Sequence, residues 1–116
     1  MGMLDGTTAL VIGGHSGFGE AISRTFAAEG ATVAIAARRI DVVSAVAGEV
    51  GGFGLECDIT DDDQVSATVA ATVERTGRLD SVINCAGYSE SSPISDLTPD
   101  KLAAMHAVQI QGAMYV

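Results

Sequence analysis

The chain has 116 residues, of which 47% are hydrophobic and 14 are glycine, and it carries a formal net charge of −9. That length suits one domain with a buried core, and the apolar content excludes a disordered chain. The acidity argues against a general nucleic-acid or anionic-membrane binder, since either needs a basic face, and no apolar run approaches the roughly 18–20 residues of a membrane span.

The opening residues, Met1-Gly2-Met3-Leu4-Asp5, have no basic region followed by an apolar stretch. They do not read as a secretory signal, so a cytoplasmic location is expected. The first strand is expected over Thr7–Ile12. It runs into the turn Gly13-Gly14-His15-Ser16-Gly17-Phe18-Gly19 and then a helix from Gly17 to about Glu29, with Gly30 as its stop. Phe18, Ala21, Ile22, Thr25 and Phe26 are read as the inward face of that helix. A strand that passes through glycines into a helix gathers unpaired backbone N–H groups and the positive helix end at one point, which is a phosphate site.

The glycine spacing is not G-x-G-x-x-G, but the roles distribute alike. Gly13 allows the tight turn, Gly17 lets the backbone approach a pyrophosphate, and Gly19 lets the helix pack close to the sheet. Ser16 is expected to donate to a phosphate oxygen. A serine-hydrolase elbow, G-x-S-x-G, begins at Gly14-His15-Ser16-Gly17, but Phe18 stands where its closing glycine belongs. His15 is also too near Ser16 in sequence to serve as its base.

The second strand, Ala31–Ala36, is too continuously apolar for a half-exposed edge. A short helix over about Ile40–Val50 follows, then a third strand, Phe53–Cys57. At the end of the second strand stands Ala36-Ala37-Arg38-Arg39. An acidic residue there would accept the free 2′-hydroxyl of NAD, whereas arginine pairs with the 2′-phosphate of NADP. Arg38 and Arg39 therefore predict a 2′-phosphate clamp and a preference for NADP(H) over NAD(H).

Thr60 is expected to cap a third helix, with Asp61, Asp62 and Asp63 at its first turn acting as caps rather than metal ligands. Val65, Val69, Thr72 and Val73 form its expected buried stripe. No metal site is expected anywhere in the chain. The fourth strand is expected over Ser81–Ile83. Thr98 and Pro99 open a last helix, with Leu97 and Leu102 spaced as a hydrophobic staple. Alternating strands and helices predict an α/β, Rossmann-type, doubly wound parallel sheet. That fold places Cys57 and Cys85 on strands separated by two others, about 14 Å apart, whereas a disulfide needs about 7 Å. Both are expected to be reduced.

The last helix is still running at Val116. A fold that finished there would leave the fourth strand as an open edge, so the sequence is expected to be an N-terminal portion, poorly soluble without a covering partner. Residues 1–116 read as one NAD(P)-binding domain, truncated after the fourth strand and its following helix.

The spacing of these motifs over residues 5–116 resembles the N-terminal half of the short-chain dehydrogenase/reductases. That family's T-G-x-x-x-G-x-G turn is matched at Gly13, Gly17 and Gly19, with Ile12 in place of threonine. Its aspartate after the third strand falls on Asp58, followed by Ile59, and its N-N-A-G falls on Asn84-Cys85-Ala86-Gly87. The resemblance implies that Gly13, Ser16, Gly17, Phe18, Gly19, Arg38, Arg39, Asp58, Ile59, Asn84, Ala86 and Gly87 hold the cofactor, with Asp58 at the adenine. Cys85 in place of asparagine removes an amide that would bond the neighbouring backbone.

The family's helix motif N-x-x-G reads Gln109-Ile110-Gln111-Gly112 here, so Gln109 occupies the asparagine slot. Its longer side chain puts the family's proton relay in doubt. The family's catalytic serine and Y-x-x-x-K have no counterpart, so no catalytic residue is assigned. The resemblance implies an NADP(H)-dependent oxidoreductase acting on a small carbonyl or alcohol, a homo-oligomer if full length, with this chain inactive alone. The alternative is a non-catalytic, split or degenerate nucleotide-binding protein of the same fold, and Gln109 motivates it.

Overall fold

A computed structural model describes residues 2–15, 17–87 and 93–116. Strand β1 spans Thr8–Ile12, β2 Thr32–Ala37, β3 Phe53–Glu56 and β4 Ser81–Asn84. Between them lie helices α1 (Gly17–Ala28), α2 (Ile40–Glu49) and α3 (Asp62–Thr76). The chain then passes through a short 3₁₀ turn, Ile94–Asp96, into α4 (Pro99–His106), a π-helical turn (Ala107–Gln111) and α5 (Gly112–Tyr115). The predicted elements are all present, with ends shifted by a residue or two.

The four strands are parallel in the order β3-β2-β1-β4. All five residues of β1 are buried, because it lies inside the sheet and is covered on both faces. Alternate residues of β1 and β2 feed two cores. Leu10, Ile12, Ala34 and Ala36 meet Val65 and the partly buried Val69 of α3. Val11, Val33 and Ile35 meet Val43, Val46 and Ala47 of α2, with Ile22 and Phe26 of α1 packed against them. Residues of period two thus serve opposite faces, as a doubly wound sheet requires.

Three local readings are corrected. In α1 the buried residues are Gly19 and Ser23, whereas Phe18, Ala21 and Thr25 are exposed. The helix lies so close to the sheet that small residues face inward. Ser23 meets its hydrogen-bonding need by donating to the Gly19 carbonyl at 2.8 Å. In α3 the cap is Asp61, whose carboxylate accepts from the Gln64 N–H. The helix starts at Asp62, so Thr60 stands one residue before the capping position, and its hydroxyl and N–H both donate to Asp58 instead. The same helix buries Thr68 beside Val65 and Thr72, and leaves Val73 40% exposed. Thr68 and Thr72 donate back to the Gln64 and Thr68 carbonyls, so their hydroxyls enter the core satisfied.

Thr98 caps α4 as expected, accepting from the Lys101 N–H with Pro99 in the first turn. Leu97 and Leu102 are 40% and 56% exposed, so the expected staple is not buried. Strand β4 forms one sheet edge, and both cysteines are free. No described helix is long and apolar enough to cross a membrane.

Candidate functional site

The order β3-β2-β1-β4 reverses direction between β1 and β4, and ligands of open parallel sheets bind in the crevice at such a switch, beyond the carboxyl ends of the strands. Register brings those ends level: Ile12 pairs with Ala36 on one side and Asn84 on the other. A cleft of about 460 Å³ opens there. A smaller hollow of about 250 Å³ adjoins it, sharing Arg38, Asp58 and Val108 and adding Ala107 from the π turn.

The glycine turn forms one wall. Gly13 has φ +81°, and a side chain there would meet the Ala86 nitrogen and Cys85 carbonyl carbon at 2.9 Å, so the β1 turn and the end of β4 come together only around glycine. Gly17 opens α1 at φ +57° with no atom within 4 Å of where a Cβ would stand. That open space beside a helix start fits the close approach of a phosphate. Gly19 does the opposite work, since its Cβ would lie 2.2 Å from the Gly13 carbonyl oxygen.

Most of the residues predicted from the sequence converge on this cleft. Gly13, Gly17, Phe18, Gly19, Arg38, Arg39, Asp58, Ile59, Ala86 and Gly87 all line it. Phe18, 88% exposed, stands at the rim instead of in the core. Ser16 lies outside the described residues. Asn84 does not line the cleft: its Oδ1 accepts from the Ala86 N–H at 3.1 Å and fixes the chain leaving β4. His15, Cys57, Cys85 and Val108 also line it, although no sequence reasoning above assigned them there. Only the register of the strand ends could have found the two cysteines, each the first residue past a strand.

Asp58 is held in a tight local turn. Its Oδ1 accepts from the Thr60 hydroxyl at 2.7 Å and the Thr60 N–H at 2.9 Å. These bonds hold its carboxyl below the usual range, against partial burial and with help from the Arg38 charge. A depressed carboxyl stabilises the fold fully above the unfolded value of about 3.9 and loses that contribution as pH falls through the folded value. Thr60→Ala is therefore expected to raise the Asp58 midpoint in a carboxyl NMR titration and to start acid unfolding at a higher pH. An unchanged midpoint would show that the hydroxyl does not hold the charge.

Arg39 pairs with Asp41 at 3.3 Å, with both side chains mostly in solvent. Burial pushes the Cys57 thiol up, against a hydrogen bond with Thr68, so Cys57 is a poor nucleophile at neutral pH. Among the described residues, no group of three or more His, Cys, Asp or Glu is arranged to hold a metal. The Gln109 side chain, from the π turn, comes within 3.5 Å of the position a Gly87 Cβ would take.

Fold and cleft together define a nucleotide-binding α/β protein: a glycine turn into a helix, an arginine pair after β2, and small residues after β4. Comparison with known proteins gives the family. The short chain dehydrogenase family model matches residues 7–116, and the chain belongs to that family. It is 31% identical over 115 residues to a sorbitol dehydrogenase of Cereibacter sphaeroides, covering 97% of this chain and 45% of that protein. It is 32% identical over 114 residues to a D-threitol dehydrogenase of Mycolicibacterium smegmatis, covering 94% and 44%. A solved short-chain type dehydrogenase/reductase from Mycobacterium ulcerans superposes with a TM-score of 0.91 at 32% identity, covering 97% of this chain and 44% of that one. The chain thus spans a little under half the length of these relatives. The fold of this family implies a nicotinamide dinucleotide. The open backbone at Gly17 and the paired arginines on the cleft wall fit its phosphates.

Proposed function

We propose that the protein is an NADP(H)-preferring oxidoreductase, and that this chain is its cofactor-binding part. One observation carries the preference. Arg38 and Arg39 leave β2 directly into the cleft, and no acidic residue stands among Ala36-Ala37-Arg38-Arg39 to accept a free 2′-hydroxyl. When bound, the nicotinamide would exchange a hydride with a carbonyl or alcohol carbon. Residues Gly13, Ser16, Gly17, Phe18 and Gly19 would hold the pyrophosphate, and Asp58 with Ile59 the adenine. Ala86 and Gly87 would leave room for the nicotinamide ribose, with Asn84 fixing their backbone.

Relatives named for sorbitol and D-threitol support a small alcohol or carbonyl compound as the substrate class. The proton-transferring groups would come from outside these residues, since no tyrosine here precedes a lysine by four positions. This chain alone would then be inactive, and the whole enzyme a cytoplasmic homo-oligomer. Calorimetric titration of the purified protein tests the reading. NADPH is expected to bind at least about tenfold more tightly than NADH, in line with one or more charge-assisted contacts to the extra phosphate. Equal affinities would refute it.

A further inference from the structure

Helix α3 opens with a capping box whose second half is displaced. In such a box the cap's side chain accepts from the N–H of the third helical residue, and that residue's side chain accepts from the cap's own N–H. The first half is present, since Asp61 Oδ1 accepts from the Gln64 N–H at 3.2 Å. The Asp61 N–H, however, donates to the Asp58 carbonyl at 3.0 Å. Gln64 Oε1 therefore reaches past the cap and accepts from the Asp58 N–H at 2.9 Å, while its Nε2 donates to Asp61 Oδ2 at 3.2 Å. A reversed amide would set oxygen against carboxylate and NH₂ against N–H, so the two bonds fix its orientation together.

The displaced bond ends on the residue assigned above to the adenine. The Cys57 N–H donates to the Ala37 carbonyl at 2.9 Å, and Asp58 is the first residue beyond that bond to the sheet. Its N–H is met by Gln64, and its Oδ1 by the hydroxyl and N–H of Thr60. Among the described residues, no hydrogen bond reaches Oδ2. Asp58 lines both the cleft and the adjoining hollow, whereas Gln64 lines neither. The backbone and one carboxylate oxygen are thus held, and the second oxygen is left to a ligand.

We propose that Gln64 is a positioning residue for adenine recognition: it fixes the Asp58 backbone so that Oδ2 meets the exocyclic amine of the adenine. This rests on the assignment of Asp58 to the adenine, and not on the arginine pair. A hydrogen bond to a carboxylate is strong only when well aligned, and a turn released from α3 would let that carboxylate swing out of line.

The test is calorimetric titration with NADPH and with its hypoxanthine analogue, which carries a carbonyl oxygen in place of the exocyclic amine. The purified protein is expected to bind NADPH at least about tenfold more tightly than the analogue, the scale of one hydrogen bond to a charged acceptor. Gln64→Met keeps the length and helix preference of the side chain but neither bond. It is expected to lose most of that NADPH advantage, while the analogue weakens by less than about twofold. Retained binding of the analogue reports that the variant is folded. Gln64→Glu keeps an acceptor for the Asp58 N–H and is expected to recover part of the preference.

Equal weakening of both ligands in Gln64→Met would show a merely structural role and overturn the assignment. A preference that survives Gln64→Met intact sinks this inference alone. An unsubstituted protein that binds NADPH and the analogue equally sinks the adenine role of Asp58, and this inference with it.

Discussion

Replacing Arg38 by aspartate and Arg39 by alanine is expected to weaken NADPH binding at least about a hundredfold, while NADH binding holds or tightens. Each arginine removed deletes charge-assisted hydrogen bonds worth roughly 1.5–3 kcal/mol, and the introduced carboxylate would add repulsion against a phosphate dianion. The same carboxylate could accept the 2′-hydroxyl of NADH, so the loss is confined to one cofactor. The Arg39–Asp41 pair does not withhold Arg39 from this role. Its side chains are 75% and 70% exposed, and a pair so exposed is worth little and yields to a doubly charged ligand. Parallel titrations of the double variant with both cofactors measure the effect. Equal loss for NADPH and NADH would show that the arginines merely shape the cleft.

The largest effect on stability is expected from Gly19→Ala. The new Cβ would stand 2.2 Å from the Gly13 carbonyl oxygen and 2.8 Å from its carbon. Both are backbone atoms of the turn, so no side chain can swing aside to make room. Overpacking of this kind costs typically about 1–3 kcal/mol, and a collision with backbone belongs at or above the top of that range. A fall in melting temperature of more than about 10 °C follows for a domain of this size. Gly17→Ala is the control. Nothing lies near its Cβ, so it should cost only the roughly 1–2 kcal/mol of a left-handed residue that is not glycine, while obstructing the phosphate approach. Circular dichroism melts of the two variants decide the matter. If Gly19→Ala melts no lower than Gly17→Ala, the close packing of α1 on its turn is wrong.

What the sequence made legible follows from which signals act alone. The apolar runs of β1 and β2 could be nothing but interior strands, and the exposure of 1% or less from Val33 to Ala36 agrees. The glycines, Arg38 and Arg39 were readable because each answers to a local need for a turn, a close approach or a charge. The inward face of α1 was not readable, because Phe18 advertises burial by its chemistry and yet stands at the cleft rim. Gly19 and Ser23 win the inner position because the helix rides close to the sheet, a distance that no residue announces.

The cap of α3 was misread for a related reason. Thr60 and Asp61 are both good caps, but the helix starts at Asp62, which puts Asp61 at the capping position and leaves Thr60 to donate its hydroxyl to Asp58 at 2.7 Å. The presence of His15, Cys57 and Cys85 on the cleft wall depends on the register of strands far apart in sequence. The π turn left no sequence trace at all, since its residues keep ordinary right-handed helical backbone on both sides.

That π turn acts as a gear tooth. A single turn of this kind holds one residue more than an α-helical turn, so every position beyond Gln111 is set back by about 100° from where an unbroken helix would put it. The offset decides which residue faces Ile59, the buried neighbour of Asp58. With it, Gly112 comes round, and even a bare Cβ there would sit 3.1 Å from the Ile59 side chain. Without it, the bulkier side chains on either side would contend for that spot and α5 would stand off. The floor of the cleft beside Asp58 is thus indexed by a miscount of one residue in a helix far along the chain.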